Sequence, residues 1–177
     1  MRNAIAALLA SLTLVPLAGC ESDAAPSEPF AIRYQADAAR DRIWTLTRDG
    51  VALQLRAKPG KTFVELSDWI WVYAEWACPP DLAIGPKGEV VITSNVVATL
   101  WKVDPETLAV TAHPLALGSD TNRDFGFSKL VYSREKGVFI AISDTFPSTW
   151  EIDPQLTRAR KIAEGGPVSS ACHFAGQ

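Results

Sequence analysis

Apolar and polar positions divide the chain into three stretches. Behind Arg2, Ala4 to Val15 form a largely apolar run, too short to settle as a membrane-spanning helix, which needs roughly 20 residues. Residues 21–29 are polar and acidic, carry Pro26 and Pro29, and offer nothing to bury. From residue 30 onward, short apolar runs of strand length alternate with turn signals. Asp81–Ile84 predicts a strand, and Gly85-Pro86-Lys87-Gly88 a tight turn. Glu89–Thr93 is β-branched and apolar on both faces, which predicts a central strand. Thr99–Val103 alternates and stops at Asp104-Pro105; Leu108–Thr111 predicts a fourth strand.

This pattern recurs. Gly88-Glu89-Val90-Val91-Ile92-Thr93-Ser94 aligns with Gly137-Val138-Phe139-Ile140-Ala141-Ile142-Ser143. Leu100-Trp101-Lys102-Val103-Asp104-Pro105 then aligns with Thr149-Trp150-Glu151-Ile152-Asp153-Pro154, at the same offset of forty-nine positions. A weaker third copy is Trp44-Thr45-Leu46-Thr47-Arg48-Asp49-Gly50. Asp81 to Asn95 followed by Leu100 to Thr107 resembles the repeats of YVTN-type and NHL-type β-propellers, and Leu130 to Leu156 resembles them less closely. The resemblance implies an all-β, β-propeller-like domain over residues 30–177. It would have three to four antiparallel blades and leave an incomplete ring open as an outcome. A fourth blade requires residues 30–57 and 62–77 each to form a compact blade. Alternatively, two three-bladed chains close a six-bladed ring.

The first stretch carries an address. After Pro16, Leu17-Ala18-Gly19-Cys20 resembles the lipobox of bacterial lipoproteins, with small residues before a cysteine whose thiol is acylated. The resemblance implies a signal peptide over 1–19, a lipid on Cys20 (palmitate among its chains) and a flexible tether over 20–29. It also implies a membrane partner through that lipid and a cell-envelope location facing the periplasm. Glu21 after the cysteine weakly favours the outer membrane.

Composition narrows the remainder. The net charge of −3 with mixed signs gives no footprint for nucleic acid. The cysteines besides Cys20 are Cys78 and Cys172. In an oxidising compartment they are expected to form a disulfide. Trp69, Trp71 and Tyr73 share one face if their segment is a strand. They are expected either to be buried between blades or to offer an aromatic surface to a glycan, peptide or protein. Asp120, Asn122 and Asp124 imitate the start of a calcium loop. Phe125 and Val131 then stand where glycine and a bidentate glutamate are needed, so they are weak metal candidates. Asp104 and Asp153 recur before proline and are expected to accept backbone N–H groups at turns.

No nucleophile elbow, histidine metal spacing or phosphate loop appears in the sequence. No cofactor and no catalytic residue is therefore expected. The leading expectation is a lipid-anchored, non-enzymatic binding or assembly module of the cell envelope, with a protein partner or another copy of itself. The alternatives are a propeller enzyme, lactonase-like or quinone-dependent dehydrogenase-like, and a structural subunit completing a larger complex.

Overall fold

The computed structural model describes residues 30–74, 77–118 and 126–165. Cys20, Asp120, Asn122, Asp124 and Cys172 lie outside the described residues, as do the proposed signal and tether. What is described is all-β and almost wholly antiparallel, with one 3₁₀ turn at Ala38–Arg40 as its only helical piece.

Three sheets follow one another along the chain. Sheet 1 is β1 (Ala31–Asp37), β2 (Arg42–Thr47), β3 (Gly50–Leu55) and β4 (Thr62–Glu65), in sequence order. Sheet 2 is β5 (Leu82–Ile84), β6 (Val90–Ile92), β7 (Thr99–Val103) and β8 (Val110–Pro114), again in sequence order. Sheet 3 is β10 (Lys129–Ser133), β11 (Val138–Ser143), β12 (Ser148–Ile152) and β13 (Arg158–Glu164). The short β9 (Ala116–Leu117) joins the outer edge of sheet 3 parallel to β13.

Sheet 1 uses all of β1 to β4, and no strand is described between residues 66 and 81. The four-unit count therefore falls: 62–65 is the outer strand of the first sheet and not part of a blade of its own. Trp101 and Trp150 occupy the same position, on the third strands β7 and β12. Trp44 lies on a second strand, β2, so the weak third copy matches in letters but not in place. The predicted fourth strand starts two residues late, at Val110. Leu108 is held at φ 59° in the turn that Asp104 organises, where no strand can begin.

The register makes the repeat explicit. Leu82–Ile92–Trp101–Ala112 form one cross-strand row in sheet 2, and Leu130–Ala141–Trp150–Lys161 form its counterpart in sheet 3. Five residues separate the pair Ile84 and Val90 across the β5–β6 turn, and six separate its counterpart Tyr132 and Phe139 across the β10–β11 turn, so the first strands correspond at an offset of forty-eight. Gly88 (φ 87°) and Gly137 (φ 66°) supply the left-handed residue in each of these turns.

Sheet 2 lies between the other two. Its Leu82, Val90, Ile92, Trp101 and Val103 pack on Ile32, Trp44, Leu46, Val51, Leu53 and Val64 of sheet 1. Its opposite face, Ala83, Val91 and Leu100, packs on Leu130, Phe139, Ala141, Trp150, Ile152 and Ala159 of sheet 3. Both faces of sheet 2 are thus apolar and dry, which is why β6 reads as a continuous apolar run.

Candidate functional site

The three first strands, β1, β5 and β10, converge, and Asp81 ties them together. It stands just before β5 and accepts the N–H of Leu82 at 3.0 Å and that of Leu130, on β10, at 3.1 Å. Its carboxylate also pairs with Arg33 of β1 at 3.5 Å. Burial raises the Asp81 pKa above the ordinary carboxyl value; the two N–H donors and the cations Arg33 and Lys129 pull the other way and do not offset it.

At the far ends of these strands a cavity of about 620 Å³ opens. Its polar lining comes from Gln35, Asp37 and Arg40 of sheet 1 and from Tyr132 and Arg134 of sheet 3; Ile84 and Pro86 of sheet 2 form an apolar wall. Arg40 is fixed by Asp37 (3.4 Å) and by donating to the Lys87 carbonyl (2.5 Å), where it lies against Gly88. A Cβ at residue 88 would fall 2.2 Å from that guanidinium. Arg134 is exposed at the rim. The chemistry offered is a pocket with apolar walls and two guanidinium groups, suited to an anionic or polar small ligand.

At the opposite ends, a second cavity of about 440 Å³ is lined by Val72, Cys78, Asn95, Ser128 and Asp144. Asn95 and Asp144 are repeat counterparts. Asn95 receives the Val72 N–H on Oδ1 (2.9 Å) and donates from Nδ2 to the carbonyls of Val72 (2.8 Å) and Cys78 (2.9 Å). Its neighbour Ser94 donates to the Ile70 carbonyl at 2.6 Å. Together they pin the aromatic segment across the ends of sheet 2. In sheet 3, Asp144 accepts the Ser128 hydroxyl, and the Ser143 hydroxyl is buried without a hydrogen-bond partner.

The aromatic segment is irregular, so the expected strand does not form. The stretch was patterned like a strand but is tied down by its indoles instead. The Trp69 Nε1–H donates to the Thr93 carbonyl (3.0 Å) and that of Trp71 to the Arg48 carbonyl (2.9 Å). Both rings pack on the core shared by sheets 1 and 2 and stack on each other, centroids 5.7 Å apart. Tyr73, 52% exposed, meets Trp71 and Phe30 edge-on at 6.4 and 6.2 Å. Of the three proposed surface residues, Tyr73 is the one presented to solvent; the two tryptophans are anchors.

Asp104 and Asp153 do organise turns. Asp104 accepts the N–H groups of Glu106 and Thr107, which hold its carboxyl below the ordinary range. Asp153 accepts those of Gln155, Thr157 and Arg158. Among the described residues, no cluster of three or more His, Cys, Asp or Glu could hold a metal ion. Sequence reasoning missed Asp37, Arg40, Tyr132 and Arg134, because they come together from strand ends and turns in different repeats. The available signal was that each lies at or just past the end of a first strand, so aligning those ends would have grouped them.

Compared with models of known protein families and with curated proteins, the chain matches none.

Proposed function

We propose that this protein is a lipid-anchored module of the cell envelope whose propeller-like stack of sheets works by binding. The observation that carries the reading is the convergence of β1, β5 and β10 on cavities at both of their ends, within sheets that stack in series. At those cavities Arg40 ties sheet 1 to the Lys87 carbonyl of sheet 2, Asn95 holds the aromatic segment, and between them Asp81 joins the three first strands. That favours a rigid recognition platform over a reaction centre. The lipobox-like Leu17–Cys20 supplies the anchor, and the first strand begins at Ala31, directly after the proposed tether.

Metabolic labelling with a fatty-acid analogue tests the anchor. The wild type should take up label, and Cys20→Ser should not; equal labelling of the two sinks the lipoprotein reading. Capture of envelope proteins on purified protein tests the module. Binding should saturate and fall with Tyr73→Ala and Arg134→Ala, whose side chains are exposed.

The Cys78–Cys172 bridge belongs to the same proposal. Gly165, where the described chain ends, donates to the Pro147 carbonyl at 2.7 Å, two residues from Thr145, which shares a cavity with Cys78. Seven further residues reach at most about 23–25 Å, which suits a return to that cavity. Peptide mapping without reductant should recover the two cysteines in one fragment.

A second reading, an enzyme, draws on one observation: Asp81, with its raised pKa, shares a cavity of about 480 Å³ with Lys129 and Asp144. Turnover of lactones that Asp81→Asn abolishes would favour it.

A further inference from the structure

Among the described residues, the two kinds of face that stack inside the molecule are also the faces on which no further sheet packs at its ends. In sheet 2, the row Ala83–Val91–Lys102–Thr111 lies on the side that receives sheet 3, with Ala83 and Val91 buried there. The corresponding row of sheet 3 is Val131–Ile140–Glu151–Arg160, and among the described residues no sheet packs on it: Val131 is 57% exposed, and Ile140 and Ile142 are partly buried. Those three apolar side chains line the shallow cavity on this face. At the other end, the outward row of sheet 1 is Tyr34–Thr45–Ala52–Phe63, with Tyr34 60% and Phe63 49% exposed at its two sides and Thr45 and Ala52 buried between them.

We propose that a second copy of this chain covers these ends. The free face of sheet 3 in each copy packs on the free face of sheet 1 in the other, and the two arcs of three sheets close a six-sheet ring. The inference rests on the propeller-like reading above and specifies its partner. Three observations select a copy as the occupant. The free face of sheet 3 is the repeat equivalent of a face that demonstrably takes a sheet in this same molecule. Two threes make a ring within the range of closed propellers. The outer strands carry opposite charge on the two faces, with Arg158 on β13, beside the Arg160–Glu151 ion pair, and Glu65 on β4. A head-to-tail contact that closes after two copies leaves no free end for further addition.

The test is native mass of the purified protein in mild detergent, with sheet content followed by circular dichroism. Wild type should run at twice the chain mass. Val131→Asp and Phe63→Asp, on opposite ends, should each run at the single mass with unchanged sheet signal. Because the contact is head-to-tail, mixing the two variants should restore a two-copy species through the one interface in which both faces are intact. A wild type of single mass at tens of micromolar overturns the proposal, as does a two-copy species that either variant leaves unchanged. Should either variant fail to fold, Thr149→Lys on the same sheet 3 face replaces Val131→Asp and Tyr34→Asp replaces Phe63→Asp. A single-mass protein that still captures a different envelope protein would refute the second copy and leave the anchored binding module standing.

Discussion

Replacing Asp81 tests whether the three first strands are held at their convergence by one side chain. Asp81→Ala removes the acceptor of two backbone N–H groups and the partner of Arg33. The Leu130 N–H is the more costly loss, because Leu130 is buried. An orphaned buried donor costs about 1–3 kcal/mol. The ion pair adds less than a fully buried one, since 15–18% of each side chain remains accessible. Together a loss of about 2–4 kcal/mol is expected. For a domain of this size that lowers the midpoint of thermal unfolding by roughly 5–15 °C. Asp81→Asn keeps one acceptor oxygen and should lose about half as much.

The same residue gives a signed pH dependence. Its folded pKa is raised above the ordinary 3.8, so between those values the folded state binds more protons than the unfolded one. Its contribution to stability is therefore complete below 3.8 and is lost as pH rises through the folded value. Urea unfolding of wild type and Asp81→Asn across the acid-to-neutral range should show that downward slope in wild type only. A midpoint for Asp81→Ala within about 1 °C of wild type would refute the assigned role.

Three further outcomes follow from packing. Gly126→Ala should destabilise by about 1–3 kcal/mol, since its Cβ would lie 2.1 Å from the Ser94 carbonyl oxygen and 2.4 Å from Asn95; chemical denaturation measures it. Trp150→Ala, at a fully buried ring, should cost about 3–5 kcal/mol, with Trp101→Ala at the equivalent position falling in the same range; a surface-like value for either would break the equivalence. Arg40→Ala should cut two ties, to Asp37 and to the Lys87 carbonyl, and raise amide exchange in the Gly85–Gly88 turn without changing exchange in β12.

The second and third sheets were legible because their strands are short, apolar and separated by Gly, Pro and Asp turns that recur at a fixed interval. Thr99–Val103 came out at its observed bounds, and Val90–Ile92 within one residue at each end. Sheet 1 was harder. Arg42–Thr47 and Gly50–Leu55 meet at a two-residue turn, Arg48-Asp49, so its spacing departs from the other two and the alignment slipped by a strand. The aromatic segment misled because alternation of large apolar residues signals a strand only when the backbone has a sheet to join. Here the neighbouring backbone groups are taken by indole N–H donors and by Asn95. The cavity residues escaped because turns from separate sheets meet only in three dimensions.

The two residues of β9 have a consequence for solubility. An outermost strand exposes a line of unsatisfied amides and carbonyls that can template a neighbour's chain. On sheet 3 that line is answered from within: Ala116 donates to the Thr157 carbonyl and Gly118 to that of Ala159. On sheet 2 the outer strand ends at Pro114, which has no amide hydrogen to offer. Of the three outer strands, the brief β4 is the one with neither device, so the edge most open to strand addition is also a short one.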